Sequence, residues 1–407
     1  PDEILFLHLT ARRIWRFFAT FVTAEDHYLP PDNFQETPQP VVAHRSSPTN
    51  FGLYLLSTLA ARDFGWIGTI ETIERLENTL KSLMVLPRFE GHFYNWYETT
   101  GPRVLEPKYI SSVDNGNLAG HLLATAQGLS EILNSVVQHT GFNRGILDTL
   151  TLLEQSIKAQ PAQDAALDAA FSRLANLMLT PDHLLENRQR HWNELRDAAN
   201  AVVDAAKSAT DGEVLAWARA LRNDIESSAR DFSLLASWSD MGLAADALTF
   251  GLTNEPGWDL FARRLRASAP LKDIPDHCAS LIRELTALRK FAKADIFDAA
   301  IDALDASILN ANQQIQKISE ARKICYRLFN EMDFGLLYDS EHQLFSIGYR
   351  VGEEKLDPSY YDLLASEARL TSYIAIAKGD VPAEHWFRLG RGLTVVNQGV
   401  ALISWSG

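Results

Sequence analysis

Ile301, Leu304, Ile308, Ala311, Ile315, Ile318, Cys325 and Phe329 recur at three- and four-residue spacing with no glycine or proline among them. Only an α-helix keeps such a set on one face, and at 1.5 Å per residue that helix could be roughly 45 Å long or more. Two further series, Leu185, Trp192, Leu195, Ala199, Val202, Ala206 and Val214, Ala218, Leu221, Ile225, Phe232, Leu235, flank Ser208-Ala209-Thr210-Asp211-Gly212. They predict an antiparallel helical hairpin with a narrow apolar seam. Residues 146–332 thus read as a helical zone rich in alanine and poor in aromatics, its charged faces solvated.

The flanking zones, 1–145 and 333–407, are built differently. Short helices are expected over Ile4 to Phe21, Asn50 to Arg62 and Thr69 to Met84, with another beginning near Asn117. The connections between them are rich in proline, glycine, asparagine and aromatics, the composition from which binding loops are made. After Asp333, Leu336 to Ile347 alternates apolar and polar residues around a polar turn and predicts a β-hairpin. Asp357-Pro358-Ser359 reads as the start signal of a helix from Tyr360 to Lys378. Ala401 to Gly407 is strand-like, and a domain rarely closes on a half-buried strand, so the chain reads as cut from a longer one.

Composition narrows the function. With 46% hydrophobic and 10% aromatic residues, 407 residues can bury a sizeable core. A formal charge of −14 argues against nucleic acid as a partner, because phosphate binding needs a basic face. No apolar run approaches the roughly 20 residues of a membrane span. Cys278 and Cys325 lie in separate helical patterns without a metal-ligand grouping, His277 notwithstanding, and read as buried small apolar residues. There is no P-loop, dinucleotide fingerprint, Gly-x-Ser-x-Gly elbow or His-Glu-x-x-His, so neither cofactor nor metal is expected.

Two segments carry the chemistry. Gly91-His92-Phe93-Tyr94-Asn95-Trp96-Tyr97 places four rings among polar side chains, and Ser111-Ser112-Val113-Asp114-Asn115-Gly116-Asn117 adds a carboxylate in a turn. Sugars call for that combination, since their apolar faces stack on Trp and Tyr while their hydroxyls bond to Asp, Asn and His. The competing reading is aromatic core packing at a helix end. His92, Tyr94, Asn95, Trp96, Tyr97, Asp114, Asn115 and Asn117 are the first substrate-binding candidates, joined by His44, Arg45, Tyr360, Tyr361 and Trp386. Glycosyl transfer needs two carboxyl groups flanking the bond, and the acids with aromatic neighbours are Asp32, Glu36, Asp114 and Asp362, with Glu367 close by. Each could instead cap a turn or a helix.

Long strings in both flanks, among them Trp15-Arg16-Phe17-Phe18, Phe21 to Asp26, Leu29 to Glu36, Val42 to Arg45, Leu53 to Gly68, His92 to Tyr97, Ser111 to His121, Tyr349 to Arg369 and Lys378 to Arg391, resemble the central region of the cyclic β-1,2-glucan synthases. Those are very large bacterial inner-membrane proteins joining a glycosyltransferase module, a glucoamylase-like region and a phosphorylase-like module. The resemblance implies a mainly α fold, an (α/α) toroid of glucoamylase type, incomplete here and interrupted by the helical zone 146–332. It implies ring closure of linear β-1,2-glucan by retaining transglycosylation, with the glucan chain and the other modules of the same polypeptide as partners. It also implies a place on the cytoplasmic side of the inner membrane within a multi-pass parent. The alternatives are a non-catalytic segment that guides the glucan and a purely structural helical adaptor.

Overall fold

The computed structural model describes residues 2–137, 142–162, 164–179, 188–209, 212–240, 258–265, 267–288, 294–397 and 399–404. The expected seam residue Leu185, the turn residues Thr210 and Asp211, and the terminal Trp405, Ser406 and Gly407 lie outside them. The fold is mainly helical with a few small antiparallel sheets. Its helices are α1 (Asp2–Phe21), α2 (Pro48–Asp63), α3 (Thr69–Val85), α4 (Ser112–Asn134), α5 (Phe142–Lys158), α6 (Ala165–Met178), α7 (Arg188–Ala206), α8 (Gly212–Leu235), α9 (Trp258–Leu265), α10 (Ile274–Leu288), α11 (Ala294–Glu331), α12 (Arg369–Lys378) and α13 (Glu384–Arg388). The uninterrupted apolar series does form one helix, the 38-residue α11, about 57 Å at the standard rise.

The chain divides into two compact units. The first comprises Pro1–Arg16, Leu59–Glu74 and Leu129–Ser319. Here α7 and α8 pack with α5 and α6 around Leu153, Leu174, Leu195, Val202, Val214, Leu221 and Ile225, all nearly or fully buried. A buried ion pair lies inside this core. The Arg12 guanidinium donates to Asp224 at 3.1 and 3.2 Å and to Thr149 Oγ1 at 2.7 Å, and it lies between the rings of Trp66 and Trp217. Burial pushes the Asp224 carboxyl up to about 6, against the opposing pull of Arg12 and Thr149. Asp231 caps the start of α3 by accepting the backbone N–H groups of Thr69 and Ile70. Cys278 is a buried free thiol, as is Cys325 in the second unit.

The second unit comprises Phe17–Thr58, Arg75–Gly128 and Glu320–Gly407. Its strands are two to four residues long: β1 (Phe34–Gln35), β2 (Val41–Val42), β3 (Arg45–Ser46), β4 (Arg88–Phe89), β5 (His92–Phe93), β6 (Tyr97–Glu98), β7 (Arg103–Val104), β8 (Tyr109–Ser111), β9 (Tyr338–Asp339), β10 (Leu344–Ser346), β11 (Gly348–Arg350), β12 (Lys355–Leu356), β13 (Tyr360–Tyr361), β14 (Leu393–Val396) and β15 (Gly399–Leu402). They form hairpins and three-stranded sheets rather than a layer, with orders β3-β6-β7, β12-β11-β8 and β13-β10-β9. The expected hairpin at 336–347 is β9 and β10, paired Leu344 with Asp339 and Phe345 with Tyr338.

The helix expected from Tyr360 begins only at Arg369. Asp357 spends its carboxylate on Arg350 (2.9 Å) and on Ser359 N (3.2 Å), which closes a local turn. Tyr360 and Tyr361 are then drawn into β13 against β10. Asp114-Asn115-Gly116 differs in the opposite sense, being helical where a turn was expected. The Ser111 hydroxyl accepts Asp114 N–H at 3.2 Å and starts α4 early. Gly116 serves packing, because a Cβ there would come within 1.9 Å of Thr371 Oγ1 on α12.

Two buried histidines in this unit make its stability depend on pH. His385 Nδ1–H donates to Gln343 O (3.0 Å) while Nε2 accepts from Ser372 Oγ (2.8 Å), and His92 Nε2–H donates to Asp333 O (2.7 Å). Burial holds both below the ordinary histidine value of 6.5. The neutral form is favoured in the folded state, so this stabilisation is full above about 6.5 and is lost as pH falls through the lowered folded values. Urea denaturation between pH 7.5 and 5 should show that loss. His385→Gln should reduce its slope by up to one proton, about 1.4 kcal/mol per pH unit. Parallel curves for the two proteins would refute the assignment to His385.

Candidate functional site

The segment 91–97 is fastened from inside. Asn115 acts as a substitute strand for Phe93, its Oδ1 accepting Phe93 N–H at 2.8 Å and its Nδ2 donating to Phe93 O at 2.9 Å and to Ser111 O at 3.0 Å. Tyr97 OH donates to Pro87 O (2.7 Å) and accepts Tyr94 N–H (2.9 Å). His92, Tyr97 and Asn115 are each 0% exposed. These three candidates hold the loop and present nothing to a ligand in this arrangement. Tyr94, Asn95, Trp96, Asp114 and Asn117 are half-buried and reach the surface.

The surface members meet residues distant in sequence. Strand β3 pairs with β6, Arg45 with Glu98 and Ser46 with Tyr97. That register brings the Arg45 guanidinium over the Trp96 ring, 4.6 Å from its centroid. Arg45 also donates to Asp32 Oδ2 at 3.1 Å from Nη2 and 3.3 Å from Nε. Asp32 further accepts from Asn33 Nδ2 (3.0 Å) and Asn50 Nδ2 (3.3 Å). On the other side, with its amide oriented to suit its neighbours, Asn95 donates to Asp114 Oδ2 (3.0 Å) and accepts from Trp96 Nε1 (3.1 Å). The result is a continuous chain, Asp32, Arg45, Trp96, Asn95, Asp114, in which the indole is held at its N–H edge and on one face.

Other candidates surround or miss this chain. Asn117 Nδ2 donates to Thr49 Oγ1 at 3.4 Å, joining α4 to the start of α2. His44 is exposed, and its Nδ1–H donates to the buried Asp26 (2.8 Å), which also accepts from Thr99 Oγ1 (2.5 Å). Tyr361 is nearly buried, 3.5 Å from Glu367 Oε1. Burial foremost, then Glu367, Tyr109 and Asp114, push its hydroxyl up beyond the tyrosine range. Tyr360 donates to Asp339 (2.7 Å) and stacks on His342, with centroids 4.6 Å apart, and so belongs to a separate patch. Glu36 is exposed after β1, and Asp362 is exposed beyond β13, where its backbone carbonyl accepts Gly390 N–H at 2.7 Å. Trp386 is half-buried on α13, tied through its carbonyl to Arg391.

Sequence reasoning missed Asp26 as the acid behind His44 and Asn50 as a support of Asp32. Both act through single contacts 18 residues apart in the chain. No local pattern encodes such a contact.

What the structure defines, then, is a mainly helical chain carrying an acid–arginine–tryptophan–amide–acid surface where the loops and short strands of one unit meet the start of α4. Among known proteins, the chain is 39% identical over 399 residues to the cyclic beta-(1,2)-glucan synthase NdvB of Rhizobium meliloti (strain 1021). The match takes in 98% of this chain and 12% of that protein, so the chain is homologous to one segment of a cyclic β-(1,2)-glucan synthase. No family model matches it. Among the described residues, no helix is long and apolar enough to cross a membrane.

Proposed function

We propose that this chain supplies the glucan-binding surface for ring closure of β-1,2-glucan within a cyclic β-1,2-glucan synthase. The observation that carries the reading is the Trp96 ring fixed between Arg45 and Asn95, with Asp32 and Asp114 at the two ends. A ring held in this way loses little entropy on stacking against a glucose face. Asp32 is engaged by Arg45, Asn33 and Asn50 and acts as a positioning carboxylate. Asp114 has one oxygen engaged by Asn95 and is the better placed of the two to meet a sugar hydroxyl.

Ring closure by retaining transglycosylation requires an acid to protonate the leaving oxygen and a carboxylate to attack the anomeric carbon. The glucan's own terminal hydroxyl then displaces the enzyme from the glycosyl intermediate. In this reading residues 146–332 are a helical insertion between two stretches of an (α/α) toroid, 1–145 and 333–407. The parent polypeptide sits in the bacterial inner membrane with this segment on the cytoplasmic side.

The test is made in the parent synthase with linear β-1,2-glucan. Asp114→Asn should cut cyclic product at least about tenfold, the scale of losing a charge-assisted hydrogen bond to substrate, while linear glucan accumulates. Undiminished cyclic product would overturn the role of this surface in ring closure. Binding of glucan with no redistribution by the wild-type region would favour a guiding segment instead.

A further inference from the structure

The surface continues beyond Asn117 in a direction that none of the candidates covers. On α4, Asp114, Asn117 and His121 follow one another at three- and four-residue spacing and so share a face. That face meets the first turns of α2, through Asn117 with Thr49 and through His121 with Gly52. A Cβ at residue 52 would lie 2.2 Å from His121 Nδ1, so the imidazole occupies the space that only glycine leaves. Asn50, which binds Asp32, and Leu53, 46% exposed, stand on the same part of α2.

His121 is half-buried, and its Nδ1 is buried without a hydrogen-bond partner among the described residues. An orphaned buried N–H is rarer and costlier than an under-used acceptor. The proton therefore belongs on Nε2, on the ring edge away from Gly52. Burial also holds His121 below the usual histidine range, keeping the ring neutral at pH 7. A neutral imidazole wedged against helix backbone, with a fixed N–H, is a donor for a hydroxyl rather than a site for an anion.

We infer that His121 is a further glucan-binding residue, donating from Nε2–H to a hydroxyl of a glucose unit next to the one stacked on Trp96. This assignment rests on the glucan-binding reading above and lengthens it along the junction of α2 and α4.

Two measurements on the whole chain test it. With ¹⁵N-labelled histidine, the His121 signals, assigned by their loss in His121→Gln, should show the Nε2–H tautomer, and added linear β-1,2-glucan should shift the Nε2 resonance. In titrations with the same glucan, His121→Phe should raise Kd about tenfold and His121→Gln, which keeps a donor, about threefold or less. An Nδ1–H tautomer, or a glucan-insensitive His121 signal, overturns the inference even if His121→Phe does not fold. Wild-type affinity in His121→Phe, with Trp96→Ala weakened, overturns it and leaves the Trp96 surface standing. Absence of glucan binding by the wild-type chain overturns both.

Discussion

Trp96→Ala is expected to raise the Kd of this chain for linear β-1,2-glucan between about tenfold and a hundredfold, with little change in folding. The ring is half-buried, and its contacts with Arg45 and Asn95 are at the surface, so truncation leaves no large internal cavity. What it removes is the stacking platform and the packing that aims Arg45 at Asp32. Loss of an aromatic platform and its oriented neighbours costs about 1 to 3 kcal/mol of binding, which gives that range. Trp96→Phe, which keeps a ring but not the N–H, should fall between. An alanine variant that binds as tightly as wild type would remove Trp96 from the site.

The largest effect on stability is expected in the other unit. Arg12→Ala should destabilise it by about 3–5 kcal/mol, because Asp224 is left as a buried carboxylate without its cation. Thr149 Oγ1, 2.5 Å from Asp224 Oδ2, cannot replace a guanidinium. The loss should be read as accelerated hydrogen exchange in α5 and α8, which carry Thr149 and Asp224. The double variant Arg12→Met, Asp224→Leu should recover much of it, since a buried ion pair can often be exchanged for packing. If Arg12→Ala alone leaves exchange in α8 unchanged, the pair does not hold this core.

The helices were legible because their apolar positions repeat over many turns. The series through Leu195, Val202, Val214 and Leu221 is the core of the first unit, and Ile301 to Phe329 lies within α11. The second unit was harder to read, because strands of two to four residues are too short to show alternation. The start signal at Asp357-Pro358-Ser359 failed for a non-local reason, since Arg350 and β10 claimed the residues it depended on.

The candidate site was legible as a set of residues and illegible as a surface. Rings interleaved with polar side chains look the same in sequence whether the polar groups face water or are satisfied inside. His92 Nε2 and Asn115 proved to be engaged inside, by Asp333 and by Phe93 and Ser111, while Asn95 faces Asp114. The partnership of Arg45 with Trp96 depends on the β3–β6 register, which no local pattern announces.

Whether this surface binds glucan is decided by a crystal structure of the chain with a linear β-1,2-gluco-oligosaccharide. A glucose unit is expected against the Trp96 ring, with Asp114 or Asn95 within hydrogen-bonding distance of its hydroxyls. An oligosaccharide bound elsewhere, with the Asp32–Arg45–Trp96–Asn95–Asp114 surface bare at saturating concentration, would contradict it.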